Sequence, residues 1–286
     1  ADSGARILDN QEFFTRLGRK LVAALDPVTR DGFVFRTDLR LRPNGDSGPL
    51  VLSFAAMEHY YQTHGRNWER YALIKARVIA GPEAEGRELL AMLKPFVYRK
   101  YLDFGAFDSI REMKGMIERE LRDAASRMDI KLGTGGIREI EFLVQSHQLI
   151  RGGRDTMLQT QSLYTAMQGL LGLGVFDTTV HDDLLDGYRF LRNVEHRLQM
   201  VADRQTQTLP GSDDERARLA WSMGYPGWDM FLGQLDQHRE RIHEQFRSIL
   251  EEPGQSAGQS GPVSGQLLSV WEGKIDDQQA AETLAE

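Results

Sequence analysis

Asp38 stands among arginines at alternate positions: Arg36, Asp38, Arg40 and Arg42. In an extended chain such residues point to one side, about 6.5–7 Å apart. A carboxylate there can hold Mg²⁺ while the guanidiniums meet phosphate oxygens. The same pattern also suits a solvated strand face stapled by Asp–Arg pairs. A second set of cations, Arg70, Lys75 and Arg77, lies in the helical segment NWERYALIKAR. Arg70 and Arg77 share a face of an ideal helix, whereas Lys75 sits well round from Arg77. The three meet one phosphate only if the helix end is irregular. A third set is Lys131 with Gly133, Gly135 and Gly136, ahead of a helix that begins near Ile137. Glycine turns at helix N-termini can offer backbone N–H groups to anions, or can simply be tight turns. Arg138, Glu141, Gln145 and Gln148 then form a polar strip on an otherwise apolar helix. That strip faces either a cleft or an internal salt-bridge network, since buried charges need partners. Arg192, Glu195, His196 and Gln199 fit an architectural network better than catalysis, with Arg192–Glu195 an i,i+3 pair.

These residues need elements to position them. Residues 33–42 alternate, with Phe33, Phe35, Thr37, Leu39 and Leu41 on one face and the charged set on the other. That predicts a period-two strand, closed by Pro43-Asn44-Gly45. Helical spacing predicts a helix over 9–25, with Phe13, Phe14, Leu17, Leu21 and Leu25 in register and Asp9 or Asn10 as cap. Further helices are predicted near 53–64, 67–80, 83–99, 105–125, 137–151, 160–172, 177–202, 212–223 and 228–251. Residues 252–266 (EPGQSAGQSGPVSGQ) have linker composition, and 267–286 reads as the start of another helical segment. The expected layout is a unit over 1–82, a helical domain over 83–251, a flexible linker over 252–266, and a further helical segment over 267–286.

Composition removes several classes. There are no cysteines, which excludes disulfides, Cys-ligated zinc and a thiol nucleophile. The seven histidines show no metal-ligand spacing, and no serine triad signature is present. Apolar runs are far short of the roughly 20 residues that span a bilayer, and no signal segment opens the chain. A cytoplasmic location without membrane contact is expected. The net charge of −7 argues against non-specific nucleic-acid binding. The chain does not begin with Met and is expected to be a fragment or a processed form.

The segment Phe35-Arg36-Thr37-Asp38-Leu39-Arg40-Leu41-Arg42-Pro43 resembles the third-carboxylate strand of the DNA polymerase β-like nucleotidyltransferases. Asp38 matches its acidic position. FVFRTDLRLRPNGDSGPLV, NWERYALIKAR, DIKLGTGGIREIEFLVQ, RNVEHRLQ and QTQTLP, in that order, are similar to the bifunctional glutamine synthetase adenylyltransferase family over about residues 9–250. The form Gly135-Gly136-Ile137-Arg138-Glu139-Ile140-Glu141-Phe142, followed by Arg151-Gly152-Gly153-Arg154, resembles the N-terminal, deadenylylating half. The resemblance implies an α+β, mostly α chain: the C-terminal part of a polymerase-β-like core followed by a helical bundle. It implies phosphorolytic removal of AMP from adenylylated glutamine synthetase, giving ADP. It also implies ATP as substrate of the adenylylating half and regulation by a PII signal protein. It places Mg²⁺ on Asp38, with Asp38 and Arg40 catalytic. Arg42, Arg70, Lys75, Arg77, Lys131, Gly135, Gly136 and Arg138 would bind nucleotide or phosphate. No Gly-Ser…Asp-x-Asp precedes Asp38, where only Asp2, Asp9, Asp26 and Asp31 occur. Two-metal chemistry needs several carboxylates, so this chain alone is expected to be inactive. Two other readings stay open: a helical scaffold that binds glutamine synthetase or the PII protein, and a PII uridylyltransferase-like enzyme. The continuous Arg138-Glu139-Ile140-Glu141-Phe142 and RNVEHRLQ argue against the latter.

Overall fold

Helices dominate because apolar residues recur at helical spacing and polar side chains cap the starts. The computed structural model describes residues 8–32, 34–100, 104–120 and 128–248. The predicted linker over 252–266, the segment over 267–286, and the ends of the helices predicted to reach 125 and 251 lie outside the described residues. The chain forms two compact units. Among the described residues the first comprises 8–72 and 77–96, and the second comprises 73–76 and 97–248.

In the first unit, α1 spans Asn10–Leu25. Of the two candidate caps the structure uses Asp9, whose carboxylate accepts the N–H groups of Gln11 and Glu12. Asp26-Pro27 ends the helix, because a residue before proline avoids the helical region. α1 is amphipathic yet buries no residue, and Phe13, Phe14, Leu17 and Leu21 stay about half exposed. α2 (Phe54–Thr63), α3 (Asn67–Leu73) and α4 (Glu83–Val97) follow. Tyr61 packs on Phe96 with ring centroids 4.8 Å apart. Gly65 permits that approach, since a Cβ there would meet the Phe96 ring at 2.4 Å.

The strand expected over 33–42 does not form. Residues 35–39 carry no regular secondary structure and sit in no ladder, and the chain turns from Arg40. Val34 and Phe35 donate their N–H groups to the Leu25 carbonyl, and Thr37 donates to the Asp26 carboxylate at 2.7 Å. Among the described residues the only β pairings are two isolated bridges, Thr29 with Gly32 and Asp129 with Thr208. Alternation encodes an extended backbone with two unlike faces. A ladder also needs a second strand, and no other described segment supplies one. The mostly helical character expected of the chain is observed, and the described residues form no sheet.

The second unit contains α5 (Phe104–Glu120), α6 (Ile137–Arg151), α7 (Leu163–Gly172), α8 (Thr178–Met200), α9 (Asp213–Ser222) and α10 (Trp228–Ser248). α8 runs against α10, and both pack on α6. Ile140, Val144, Met167, Leu170, Leu184, Leu191, Phe231, Leu235 and Ile242 are sealed in the shared core. Each such side chain contributes roughly 1.5–3 kcal/mol relative to exposure. Gly187 lets α8 and α10 approach, because a Cβ there would lie 2.8 Å from Ile242.

Candidate functional site

The turn after residue 39 brings Asp38 and Arg40 together. Arg40 Nε lies 3.0 and 3.1 Å from the two carboxylate oxygens, and its Nη2 lies 2.5 Å from Oδ2. The Arg40 backbone N–H also donates to Oδ1 at 3.0 Å, the local turn that aspartate side chains favour. These bonds hold the Asp38 carboxyl below its ordinary range, with a smaller contribution from Arg36 and against the opposing effect of partial burial. Arg40 thus shares a site with Asp38, through a turn and not through strand alternation. Arg42 does not join them. Its guanidinium ties down the turn through the Leu39 carbonyl at 2.7 Å and Asp46 at 3.2 Å.

No group of three His, Asp or Glu side chains among the described residues could hold a metal ion. Asp38 is a single carboxylate with both oxygens engaged by Arg40. The described residues do not by themselves fit a magnesium site.

The cations of NWERYALIKAR separate. Arg70 is 2% exposed, and its Nε donates to the Phe96 carbonyl at 3.1 Å. It braces α3 against the end of α4 and is not offered to a ligand. Its neighbour Glu69 is also buried and accepts from Tyr60 Oη at 3.1 Å and the Arg66 N–H at 2.7 Å. Burial nevertheless raises the Glu69 pKa. The helix predicted to 80 stops at Leu73. Lys75 Nζ donates to the Gln161 carbonyl at 2.8 Å, and the Gln161 amide donates to the Ala76 carbonyl. These two bonds hold the chain just beyond the end of α3. Arg77 is exposed and carries no ion pair among the described residues.

The glycine loop is not an open anion cradle. The Ile137 and Arg138 N–H groups donate to the Ile130 and Lys131 carbonyls, and Gly136 donates to Gly133. Asp129 Oδ1 takes the N–H groups of Lys131 and Leu132 at 2.8 and 2.7 Å. The loop therefore satisfies the start of α6 internally. Gly135 has φ +66°, and a Cβ there would lie 2.0 Å from the Arg239 carbonyl of α10. Gly136 is pressed against the Lys131 and Gly133 carbonyls in the same way. Close packing requires glycine at both positions, and the loop's N–H groups bond within the chain. The Lys131 ammonium has no ion pair among the described residues, and Arg138 sits half-buried at the start of α6.

Two charge clusters form across α6. Glu139, 1% exposed, faces His243 of α10, whose Nδ1 lies 3.1 Å from each carboxylate oxygen. The Gly135 N–H supports the same carboxylate. Glu141 accepts from Arg192 Nη2 at 2.8 Å, while Arg192 Nη1 reaches Glu195 at 2.6 Å and Nε reaches Tyr188 Oη at 3.0 Å. Arg192–Glu195 was legible as an i,i+3 pair. Its link to Glu141, 51 residues away, and the Glu139–His243 pair, 104 residues apart, had no local signal.

Comparison with known proteins supplies the family. Residues 1–92 match the family model for glutamate-ammonia ligase adenylyltransferase, and residues 111–250 match that for the GlnD PII-uridylyltransferase. A bifunctional glutamine synthetase adenylyltransferase/adenylyl-removing enzyme of Pseudomonas aeruginosa is 50% identical over 288 residues, covering 100% of this chain and 29% of that protein. The corresponding enzyme of Pseudomonas putida is 51% identical over 282 residues, covering 98% and 29%. That of Thioalkalivibrio sulfidiphilus is 49% identical over 287 residues, covering 99% and 30%. The chain belongs to the glutamine synthetase adenylyltransferase family.

It spans less than a third of the length of these relatives. Asp38, Arg40, Arg42, Arg70 and Arg77 lie in the first unit, within the adenylyltransferase match. Lys131, Gly135, Gly136 and Arg138 lie in the second, within the part matched by the PII-uridylyltransferase model. Lys75 belongs structurally to the second unit although it falls within the first match. Among the described residues no helix is long and apolar enough to cross a membrane.

Proposed function

We propose that this chain is part of the enzyme that removes AMP from a tyrosine of adenylylated glutamine synthetase by phosphorolysis. A phosphate oxygen attacks the AMP phosphorus, and the bond from that phosphorus to the tyrosine oxygen breaks. ADP forms, and the proton given up by phosphate ends on the tyrosine. Phosphate is itself the nucleophile and phenol a fair leaving group, so no dedicated base is required. The observation that carries this reading is the near-50% identity, across the whole chain, to bifunctional adenylyltransferase/adenylyl-removing enzymes. The deadenylylating assignment rests on the residues from Gly135 to Phe142 and from Arg151 to Arg154. The longer protein would also adenylylate glutamine synthetase with ATP in its other half, under a PII signal protein, in the cytoplasm.

Asp38, kept ionised by Arg40, is the carboxylate at the reacting phosphoryl group. Magnesium is expected there from the resemblance. No step is assigned to it, because the described residues offer only this one donor. Lys75, Arg77 and Lys131 are the cations free enough to meet phosphate, since Lys75 spends one N–H on Gln161 and the other two make no ion pair among the described residues. Arg70 and Arg42 have structural duties instead.

The test is phosphate-dependent ADP formation from adenylylated glutamine synthetase by the longer protein, with this chain run beside it. Asp38→Asn should lower that rate roughly a hundred-fold or more, as loss of a central phosphoryl-transfer carboxylate does. Full activity in Asp38→Asn would overturn the assignment. A second reading is favoured by the PII-uridylyltransferase match over 111–250: the helical unit is a recognition scaffold shared by both enzyme types. Binding of glutamine synthetase or PII protein that survives Asp38→Asn, with no phosphorolysis in the unmodified protein, would select it.

A further inference from the structure

The peptide between Leu39 and Arg40 is gripped from both sides. Its N–H donates to Asp38 Oδ1 at 3.0 Å. Its carbonyl accepts from Arg42 Nη1 at 2.7 Å. A peptide is planar, with its N–H and C=O directed to opposite sides, so holding one end fixes the aim of the other. A cation on the carbonyl also polarises the N–H and strengthens its bond to the carboxylate. Arg42 thereby acts on Asp38 through one peptide without touching it.

Arg42 is itself held at all three guanidinium nitrogens. Nη1 also donates to Asp46 Oδ1 at 3.2 Å, Nη2 donates to the Asp46 carbonyl at 3.3 Å, and Nε makes a longer contact of 3.5 Å to the Gly48 carbonyl. The loop around it is tightly wound. Asn44 and Gly45 both take left-handed backbone, with φ 60° and 53°, and the Gly45 N–H closes on the Arg42 carbonyl at 2.8 Å. A Cβ at Gly48 would stand 2.1 Å from the Pro43 carbonyl. The Arg42 side chain is 20% exposed and sits at the hub of residues 39–48. Alternation would put it on the face of Asp38 and Arg40, whereas the turn directs it into the loop.

We infer that Arg42 is a positioning residue for the Asp38 carboxylate, holding the Leu39–Arg40 peptide that aims it, and that Asp46 holds Arg42 in this role. The inference deepens, and rests on, the reading of Asp38 as the carboxylate at the reacting phosphoryl group. It gives Arg42 no contact with phosphate, which sets it apart from Lys75, Arg77 and Lys131. A reacting carboxylate in a weakly packed segment needs such support, because a functional group is only as well placed as the bonds behind it.

The Arg40 amide proton of this chain, followed by NMR at neutral pH, reads the grip directly. Asp38→Asn removes the charged acceptor and gives the shift that a lost carboxylate bond produces. Arg42→Met keeps the stem and removes the guanidinium. It should move the Arg40 proton in the same direction and speed its exchange with water roughly tenfold. In the longer protein, Arg42→Met should lower kcat of phosphorolysis roughly ten- to thirtyfold, with KM for phosphate within about twofold of the parent value. Asp46→Asn leaves the Leu39 bond in place and should lower kcat roughly three- to fivefold, again without raising that KM. A carboxylate makes no phosphate contact, so the Asp46 effect reports on positioning alone. An Arg40 amide unmoved in Arg42→Met would overturn the inference. So would a raised KM for phosphate with kcat kept, which would make Arg42 a phosphate contact. Undiminished phosphorolysis in Asp38→Asn would instead overturn the reading of Asp38 on which the inference rests.

Discussion

The Asp38 stretch and the α6–α8–α10 bundle are built on different principles. Around Asp38 the bonds are local. Arg40 meets a residue two positions away, and Arg42 meets residues three to six positions away. The α1 helix beside it buries no side chain. In the bundle, charges pair across tens of residues and apolar side chains are sealed from water. The Asp38 carboxylate thus sits where little packing supports it, while the charge clusters of α6 are held between packed helices. Sites drawn from weakly packed segments move easily, and sites on packed helices are held.

Five substitutions sharpen that contrast. Phe231→Ala empties a fully buried position and should cost roughly 3–5 kcal/mol of unfolding free energy. Leu17→Ala on α1 should stay within about 0.5 kcal/mol. Equal costs in denaturant titrations would erase the distinction between the regions. Gly135→Ala should rank next, at roughly 2–3 kcal/mol, because the left-handed backbone and the Arg239 carbonyl both oppose a Cβ.

The Glu139–His243 pair should show itself through pH. The Glu139 carboxylate raises the His243 pKa, so the stability from this group is fully present below the ordinary histidine pKa. It is lost as pH rises through the raised folded value. Burial raises Glu139 as well, which acts in the same direction. The stability gap between the protein and His243→Gln should therefore be widest near pH 6 and narrow towards pH 9. A gap that widens with pH would reverse the assigned sign. The smallest effect belongs to the exposed Glu12–Arg16 pair on α1. Arg16→Ala should change stability by less than about 0.5 kcal/mol, and less still at high salt.

Much of the helical layout was legible. The helix over 137–151 has the bounds that its spacing predicts, and α2, α8 and α9 agree within a residue or two. α3 was read too long because helical spacing continues to residue 80, whereas the helix ends at Leu73 and the next residues are held by Gln161. The strand over 33–42 was read from alternation that holds for an extended segment whether or not a neighbour pairs with it. The glycine loop before α6 carried a sequence signal for exposed N–H groups, yet carbonyls only a few residues away occupy them.

What the sequence determined by itself is what depends on neighbours within about four residues: the caps at Asp9 and Asp177, the stop at Asp26-Pro27, and the Asp38–Arg40 proximity. These follow from backbone geometry and short-range hydrogen bonding. Only the tertiary structure decided that Arg70 is a buried brace, that Lys75 is tied to Gln161, and that Glu141 stands beside Arg192. Helical periodicity names the face a residue occupies but not the face it will meet. A charge becomes a brace, a latch or a ligand contact according to how much water and which partners that meeting leaves it.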